Sequence, residues 1–124
     1  MRVPKPKRKR RVTRKSLRAK ADRLFSLFIR DRDGNCCRHC GSTFQVQCAH
    51  IISRRYGATR WSSDNALALC KKHHMKWTHD PLGWEDWVNE RFGKKRLQSL
   101  KLRARQGVAK VDLEAVVESL VEAT

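Results

Sequence analysis

The sequence predicts a small α+β domain, and two observations support this class. Segments with the apolar spacing of helices lie on either side of one segment that alternates like a strand. Cysteines and histidines also occur in two pairs, each spaced by two residues, Cys37 with Cys40 and Cys70 with His73. That spacing lets one turn direct two side chains at the same tetrahedral metal ion. We therefore expect a bound metal to stabilise a core that is too small to be very stable alone.

The N-terminal segment, residues 1–15, is predicted to be a disordered basic arm. Residues 2–20 hold eleven lysines and arginines and no acid, and the whole chain of 124 residues carries a net charge of +17. A charge of that size and sign points to a polyanion, most often nucleic acid. We expect the arm to bind DNA phosphates through Arg8, Arg10 and Arg11. The alternative is a solvated charge run that binds nothing.

Residues 16–106 are predicted to form the folded domain. Ser16 is a candidate N-cap for a first helix with an apolar stripe, and Gly34 is expected to end that helix. Residues 44–52 alternate like a short strand. Beyond it, the pattern predicts a loop over 53–64, a helix over about 70–78, and a helix from near Trp84 that runs on, after Gly93, to about Arg105.

The C-terminal segment, residues 107–124, is predicted to form an acidic amphipathic helix. Its stretch 112–123 holds four acids and no base, and Leu113, Val117 and Leu120 belong to an apolar stripe. One interpretation is a helix that folds back on the domain. The other is a helix for self-association or for a partner protein. The sequence favours neither.

Zinc is the metal that the paired ligands predict. Three cysteines and one histidine form a closed set with no open position, as in structural zinc sites: Cys37, Cys40, Cys70 and His73. Cys36 in place of Cys37 would leave a three-residue gap to Cys40, and His39 is a competing ligand. The five cysteines are an odd number, without an export signal or a membrane-spanning apolar run, so we expect metal ligation in a reducing cytoplasm rather than disulfides.

A second site is predicted beside the zinc. His73 and His74 point about 100° apart on a helix, so one can close the zinc site while the other faces elsewhere. His50 fits a general base because its unperturbed pKa lies near neutrality, and His74 fits a ligand for a divalent cation. Asn65 can fix the base or its loop by hydrogen bonding. A structural role is the more common one for a lone histidine.

The loop between the ligand pairs is basic, and its arginines are candidates to hold DNA. Hydrolysis of a phosphodiester needs positive charge near the phosphate as well as a base. Guanidinium groups bind phosphate oxygens with paired hydrogen bonds. The candidate DNA-binding residues in this loop are Arg54, Arg55 and Arg60.

The order of these motifs resembles that of a known family. Cys-x-x-Cys, His50, Asn65, Cys-x-x-His and His74 follow one another as in zinc-stapled HNH endonucleases of the ββα-metal, or His-Me finger, type. A closer resemblance is to the NinG-type phage recombination proteins. It is carried by Cys48-Ala49-His50 and by the run from Thr59 to Cys70, and it covers about residues 22–105.

The resemblance implies a fold and an activity. The fold would be a β-hairpin and a helix around a catalytic divalent ion, with a separate zinc knuckle and flanking helices. The first motif histidine is the general base of the family, so that role falls to His50, while Asn65 would orient the base and His74 would hold the ion. A phage origin would follow, with action in DNA recombination, replication or packaging in the host cytoplasm and contacts to a phage complex.

The chain departs from the family pattern at two positions. Many members place a ligating Asp or His directly before the base, where this chain has Ala49. Some also use a histidine four residues after the last motif histidine, where this chain has Thr78, followed by His79. The ion, Mg²⁺ or Mn²⁺, would then be held by His74 with His79, by Asp64, or by substrate oxygens and water.

The sequence thus predicts a metal-dependent HNH endonuclease that hydrolyses DNA. Its main rival is a zinc-stapled module that binds nucleic acid without cutting it, which the alanine before His50 favours. A third class is an accessory subunit that joins a larger phage complex through residues 112–123.

Overall fold

The computed structural model describes residues 2–5, 12–106 and 111–123, so the predicted contacts of Arg8, Arg10 and Arg11 lie outside the described residues. The elements are α1 (Arg14–Arg32), β1 (Val46–His50), α2 (Gly57–Arg60), β2 (Ala66–Cys70), α3 (Lys71–His79), α4 (Pro81–Phe92), α5 (Lys94–Arg105) and α6 (Leu113–Glu122), with a 3-10 turn at Ser63–Asn65. These helices and one small sheet confirm the α+β class. In the part searched, no helix has both the length and the apolarity that a membrane crossing requires.

The sheet consists of β1 and β2, which pair antiparallel. His50 lies opposite Ala66 at one end, and Val46 lies opposite Cys70 at the other. A connection over 51–65 joins the strands, and α3 follows β2 directly, with Cys70 as its N-cap. This strand–strand–helix order is the one that the resemblance implies.

The sheet is covered on both sides by helices. One cluster joins the sheet to α4 and α5 and includes Leu69, Val88 and Leu100. The other joins it to α1 and α6 and includes Phe25 and Leu120. All five residues of β2 are buried as a result. Full burial removes the alternation by which a strand is recognised, so the pattern alone did not predict β2.

The first helix begins earlier than predicted. Thr13 is the N-cap, and Ser16 occupies the third helical position, where its side chain completes a capping box with Thr13. Arg14 and Lys15, which the prediction placed in the arm, therefore belong to α1. Gly34 follows the helix with a φ of 69°, as its expected role at the helix end requires.

The predicted helix from Trp84 to Arg105 is wrong at its start and in its continuity. It begins at Pro81, because proline is favoured in a first helical turn and Asp80 accepts a hydrogen bond from the backbone N–H of Gly83. It divides at Gly93, whose φ of 88° breaks the helix into α4 and α5.

The strand and the loop that follows it also differ from the predictions. β1 is shorter than the predicted strand over 44–52, and Phe44 lies outside it with 70% of its surface exposed. The predicted loop over 53–64 contains α2 and most of the 3-10 turn.

The C-terminal helix packs on α1. It begins at Leu113, after Asp112 has capped it by accepting from the backbone N–H of Ala115, and residues 107–110 lie outside the described part. Leu120 contacts the cluster around Phe25. This packing agrees with the interpretation of a helix that folds back, and a partner role for residues 112–123 stays a prediction.

Asp33 joins three elements at the end of α1. Its fully buried carboxylate accepts from Arg32 at 3.0 Å, from Arg38 at 3.1 Å and from the backbone N–H of Ala68 at 2.8 Å. Burial alone would raise the pKa of Asp33, but the hydrogen bonds from Arg32 and Ala68 and the charges of both arginines lower it. The carboxylate therefore stays ionised and holds α1, the cysteine turn and β2 together.

Candidate metal centre and active-site cleft

The structure brings the predicted zinc ligands together. The ligand atoms of Cys37, Cys40, Cys70 and His73 all lie within 4.8 Å of one another. Cys40 Sγ is 3.8 Å from Cys70 Sγ, and His73 Nδ1 is 3.8 Å from Cys37 Sγ and 3.2 Å from Cys70 Sγ. Ligands about 2.3 Å from a tetrahedral centre lie about 3.8 Å apart, so the spacing and the soft donors suit a metal such as zinc.

Two local structures position these four side chains. The turn that carries Cys37 and Cys40 is closed by hydrogen bonds of 2.8 Å from Cys37 N–H to the Ser42 carbonyl and from Gly41 N–H to the Cys37 carbonyl. Gly41 has a φ of 77°, a backbone angle that glycine adopts readily and that residues with a side chain rarely adopt. Cys70 ends β2, so the first turn of α3 places the histidine three residues later beside it.

The neighbouring cysteine and histidine take other roles. The thiol of Cys36 contacts the carbonyl of Gly34 at 3.2 Å and lies outside the cluster. His39 stacks on the ring of His73, with the ring centroids 4.0 Å apart. Both observations favour Cys37 and leave His39 as a neighbour that packs against a ligand.

The electrostatics of the cluster suit metal binding. Burial and the charges of His39, Lys72 and Lys76 lower the pKa of His73, so its ring is neutral near pH 7. Burial alone would raise the pKa of the Cys37 thiol, but hydrogen bonds from backbone N–H groups, that of Cys70 first, lower it. A neutral imidazole and a thiolate are the forms that bind metal.

His50 and His74 line a single cleft of about 740 Å³. Asp22 and Arg54 also line it, and so does Ala49 of β1. The two histidines predicted for a second site therefore face a common space.

His50 ends β1 and is fixed by one hydrogen bond. Its Nε2 lies 2.8 Å from the carbonyl of Arg60, and because a carbonyl only accepts, Nε2 carries the proton and Nδ1 keeps the lone pair of the neutral ring. Burial lowers the pKa of His50, and the positive charge of Arg54 lowers it further, although the bond to Arg60 and the charge of Asp22 oppose them. The ring is therefore neutral at pH 7, as a general base must be.

His74 is fixed in the same way by a residue of the strand. Its Nδ1 lies 2.6 Å from Oε1 of Gln47, which leaves Nε2 with the lone pair. Burial and the charge of Arg54 lower the pKa of His74, so it is also neutral at pH 7. A neutral imidazole with one nitrogen held by an acceptor is the usual state of a metal-binding histidine.

Asn65 is completely buried and does not line the cleft. Its side chain accepts from the backbone N–H of Ile52 at 2.7 Å and donates to the carbonyls of Ile52 and Thr59 at 3.1 and 2.9 Å. Ile52 lies two residues after His50, and Thr59 immediately precedes the residue whose carbonyl accepts from His50. Asn65 thus fixes the loop whose Arg60 carbonyl accepts from His50.

The strand pair, the Cys3His cluster and the two histidines of the cleft all lie in a segment that matches one protein family. Residues 36–80 match the HNH endonuclease family. This HNH segment contains the Cys3His cluster, both strands, His50, Asn65 and His74. No curated protein sequence and no solved structure matches the chain.

The three arginines predicted to bind DNA from the loop are placed differently. Arg60 donates to both oxygens of Asp22, at 3.0 and 2.6 Å, and its side chain is only 18% exposed. Arg54 lines the cleft, lies 3.9 Å from Asp22 and is 59% exposed. Arg55 lies over the ring of Tyr56 and does not line the cleft. Of the three, Arg54 is the one available to a phosphate in the cleft.

The predicted ligands for a catalytic ion are sparse in the HNH segment. Ala49 is 2% exposed and offers no donor, and His79 is exposed at the end of α3 and does not line the cleft. Asp64 pairs with Arg103 and lines a different pocket. Within residues 2–5, 12–106 and 111–123, the Cys3His cluster is the only group of three or more such side chains close enough to hold an ion.

Cys48 also lines the cleft, but its chemistry suits packing. Burial raises the pKa of its thiol to about 11, so it stays protonated and is a poor metal ligand. It packs against the cluster that contains Phe25. Cys48 therefore serves the packing of the core rather than metal binding.

Sequence reasoning missed two residues of the site, Gln47 and Asp22. Gln47 shares a strand face with Ala49, so the alternation of β1 was the signal that could have placed it near α3. Asp22 is the only acid among residues 2–30, which marks it as a partner for a buried cation. Burial alone would raise the pKa of Asp22, but hydrogen bonds from Arg60 and Trp61 and the charges of Arg60 and Arg54 lower it.

Proposed function

We propose that this protein is a metal-dependent DNA endonuclease in which His50 is the general base. The observation that carries the proposal is the shared cleft of His50 and His74, each with one ring nitrogen held by an acceptor and the other keeping its lone pair. The match of residues 36–80 to the HNH endonuclease family supports nuclease activity on DNA.

The reaction uses the neutral ring of His50. Nδ1 takes a proton from a water molecule, the water oxygen forms a bond to phosphorus, and the bond from phosphorus to the leaving oxygen of the sugar breaks. The leaving oxygen takes up a proton from solvent. Arg54 contacts the phosphate oxygens from the wall of the cleft, and Asn65 positions the base by fixing its loop.

Two metals are proposed, with different tasks. Zn²⁺ is held by Cys37, Cys40, Cys70 and His73 and stabilises the fold, since the donor set is closed. A catalytic Mg²⁺ or Mn²⁺ would be held by His74 Nε2 together with substrate oxygens and water, because Ala49 supplies no ligand. When bound, such an ion neutralises charge that develops on the phosphate.

The biological setting is a further proposal. The resemblance of the run from Thr59 to Cys70 to NinG-type proteins supports a phage origin and a role in recombination, replication or packaging of DNA in the host cytoplasm. The net charge of +17 supports a polyanionic substrate, and we propose that the basic arm adds contacts to its phosphates.

Plasmid cleavage tests the proposal. Supercoiled DNA is incubated with the protein and Mg²⁺ or Mn²⁺, and we expect relaxation that EDTA prevents. His50→Ala should abolish nicking while zinc content and DNA affinity stay at the wild-type level. Nicking by His50→Ala at the wild-type rate would remove His50 from the role of base. His79→Ala is a useful second variant. Loss of nicking in it would indicate that His79, although exposed, is a ligand of the catalytic ion.

The rival function is a zinc-stapled module that binds DNA without cutting it. The buried alanine before His50 favours this rival, because it removes a ligand position that many HNH enzymes use. The same experiment separates the two functions. A shift of DNA on a gel, with no relaxation under any divalent ion, would support the module.

A further inference from the structure

A second pocket lies outside the cleft, and three of its seven lining residues are arginines. It has a volume of about 270 Å³ and shares no lining residue with the cleft. We call it the arginine pocket and define it by Arg32, Arg38, Asp64, Leu67, Phe92 and Arg96. It is formed where the end of α1, the cysteine turn, the 3-10 turn and the junction of α4 with α5 meet.

Phe92 supports two of the three guanidinium groups. The Cζ atom of Arg96 lies 4.5 Å from the centroid of the Phe92 ring, and that of Arg38 lies 5.8 Å from it. Contact with an aromatic face restricts a flexible side chain while leaving its N–H groups available. Both cations are thus held near the same aromatic ring.

The hydrogen-bonding capacity of these two arginines is largely unused. Arg38 donates through Nη1 to Asp33, and the guanidinium of Arg96 has neither a hydrogen bond nor an ion pair among the described residues, although the backbone N–H of Arg96 donates to the Gly93 carbonyl. Each guanidinium has five N–H donors, so most of them are available. The Arg96 guanidinium, a partly buried cation without an ion pair, is therefore the group in the pocket most suited to bind an anion.

The third arginine is structural. Arg32 donates to both oxygens of Asp33, to the carbonyl of Ser63 at 2.6 Å and to the carbonyl of Ala66 at 2.8 Å. These bonds fix its position and leave it little to offer a ligand. Its charge is balanced by the buried carboxylate of Asp33.

The one carboxylate that lines the pocket is already neutralised. Asp64 pairs with Arg103 of α5. Of the two remaining cations, which both lie near the Phe92 ring, Arg38 pairs with Asp33 and Arg96 has no ion pair among the described residues. The pocket carries net positive charge and suits an oxyanion.

We propose that the arginine pocket binds a phosphate group of the DNA backbone at a position away from the cleft. This inference rests on DNA as the substrate proposed above. Two guanidinium groups held on one side of a small pocket match the oxygens of a phosphate. Partial burial also strengthens the attraction relative to that of a fully solvated lysine. Such a contact fixes how the duplex lies on the protein without reading its sequence.

The test is DNA affinity measured by fluorescence anisotropy as a function of salt, with no divalent ion added. Arg96→Ala is the first variant, because Arg96 makes no bond that the fold needs. Arg105→Ala is its matched control, since it removes the same charge from an exposed position on the same helix. Loss of one phosphate contact should reduce the slope of log K against log salt by about 0.9 in Arg96→Ala. A smaller change is expected in Arg105→Ala. Equal changes in the two variants would overturn the proposal.

Two further arms identify the ligand. Arg96→Lys keeps the charge but loses the planar fork, so we expect an affinity between those of the wild type and Arg96→Ala. Inorganic phosphate, titrated by calorimetry, should bind far more weakly than DNA. Phosphate binding that Arg96→Ala abolishes, together with unchanged DNA affinity, would assign the pocket to a free anion and overturn the proposal.

The outcome is separable from that of the proposed nuclease. Hydrolysis of a small phosphodiester such as bis(4-nitrophenyl) phosphate reports on the cleft, which shares no lining residue with the arginine pocket. Arg96→Ala should therefore hydrolyse it at the wild-type rate. Reduced hydrolysis by Arg96→Ala would place the residue in the machinery of the cleft and contradict a remote contact. Because DNA binding is measured without cleavage, the pocket can be confirmed even if the protein proves to be a binding module.

Discussion

His74 Nδ1 and Gln47 Oε1 lie 2.6 Å apart, in a hydrogen bond that joins α3 to β1. The amide oxygen only accepts, so the bond keeps the proton of the neutral ring on Nδ1 and the lone pair on Nε2. Gln47 shares the strand face of Ala49, the position where many HNH enzymes place a ligand. This face offers no ligand at Ala49, but it carries Gln47, which fixes the orientation of His74.

The first prediction concerns this bond. In Gln47→Leu, the ring of His74 should lose its preference for the Nδ1-protonated form, because the acceptor is gone. Long-range ¹H–¹⁵N correlation spectra of the imidazole report the tautomer directly. Mn²⁺ affinity in the cleft should fall about 10- to 100-fold, as is usual when the partner of a metal-binding histidine is removed. Gln98→Leu, on an exposed position of α5, is the control, and an unchanged tautomer in Gln47→Leu would refute the role.

The second prediction concerns pH. Catalysis needs neutral His50, and burial with the charge of Arg54 lowers the pKa of His50 from 6.5. Protonation at low pH removes the base, so kcat/KM should fall on the acid side with a midpoint below pH 6.5. The charge of Asp22 raises that pKa and the charge of Arg60 lowers it, so Asp22→Asn should move the midpoint to still lower pH. Asp31→Asn, on the exposed side of α1, should leave it unchanged, and a midpoint above 6.5 would exclude His50.

The third prediction concerns Asn65 and the stability of the loop. Asn65→Ala leaves the partly buried N–H and carbonyl of Ile52 and the buried carbonyl of Thr59 without their partner. An unsatisfied buried group costs about 1–3 kcal/mol and a partly buried one costs less, so the free energy of unfolding should fall by roughly 2–4 kcal/mol. Urea unfolding at a fixed zinc concentration measures it. Asn89→Ala is the control, because Oδ1 of Asn89 is buried with no partner among the described residues, and an equal loss there would count against the loop role.

The fourth prediction concerns the metal cluster. Cys70→Ser removes one of four ligands, and because structural zinc contributes about 10–16 kcal/mol to small domains, we expect loss of bound zinc and of the thermal transition. Cys36→Ser is a matched variant of the same residue type outside the cluster. It should keep one zinc per chain by elemental analysis. Retention of zinc by Cys70→Ser would disprove the assignment.

The sequence predicted the metal cluster well because its geometry is local. Each ligand pair belongs to one turn, so a spacing of two residues nearly determines the relative position of two side chains. The helices α1 and α6 were predicted for a similar reason, since their apolar stripes recur with the helical period. His50 and His74 were placed in one cleft by the order of motifs in the resemblance.

What the sequence did not predict depends on distant contacts. Gln47 and His74 are 27 residues apart, and Asp22 and Arg60 are 38 residues apart. No local pattern shows that such residues meet. The strand β2 was missed because helices bury both of its faces. The start of α4 was misplaced because its first turn, which begins at Pro81, precedes the apolar positions from Trp84 onward.

Asp33 links the metal cluster to elements outside it, so removal of zinc should affect those elements too. One buried carboxylate connects the arginine of the cysteine turn with the last turn of α1 and with the middle of β2. If the cysteine turn unfolds when zinc is removed, Arg38 no longer contacts the Asp33 carboxylate. Arg32 is then the only arginine of the pair that still keeps this carboxylate ionised. Removal of zinc by a chelator should therefore speed amide hydrogen exchange at Ala68, away from the cysteine turn. The N-terminal helix and the strand pair would in this way report whether the metal is bound.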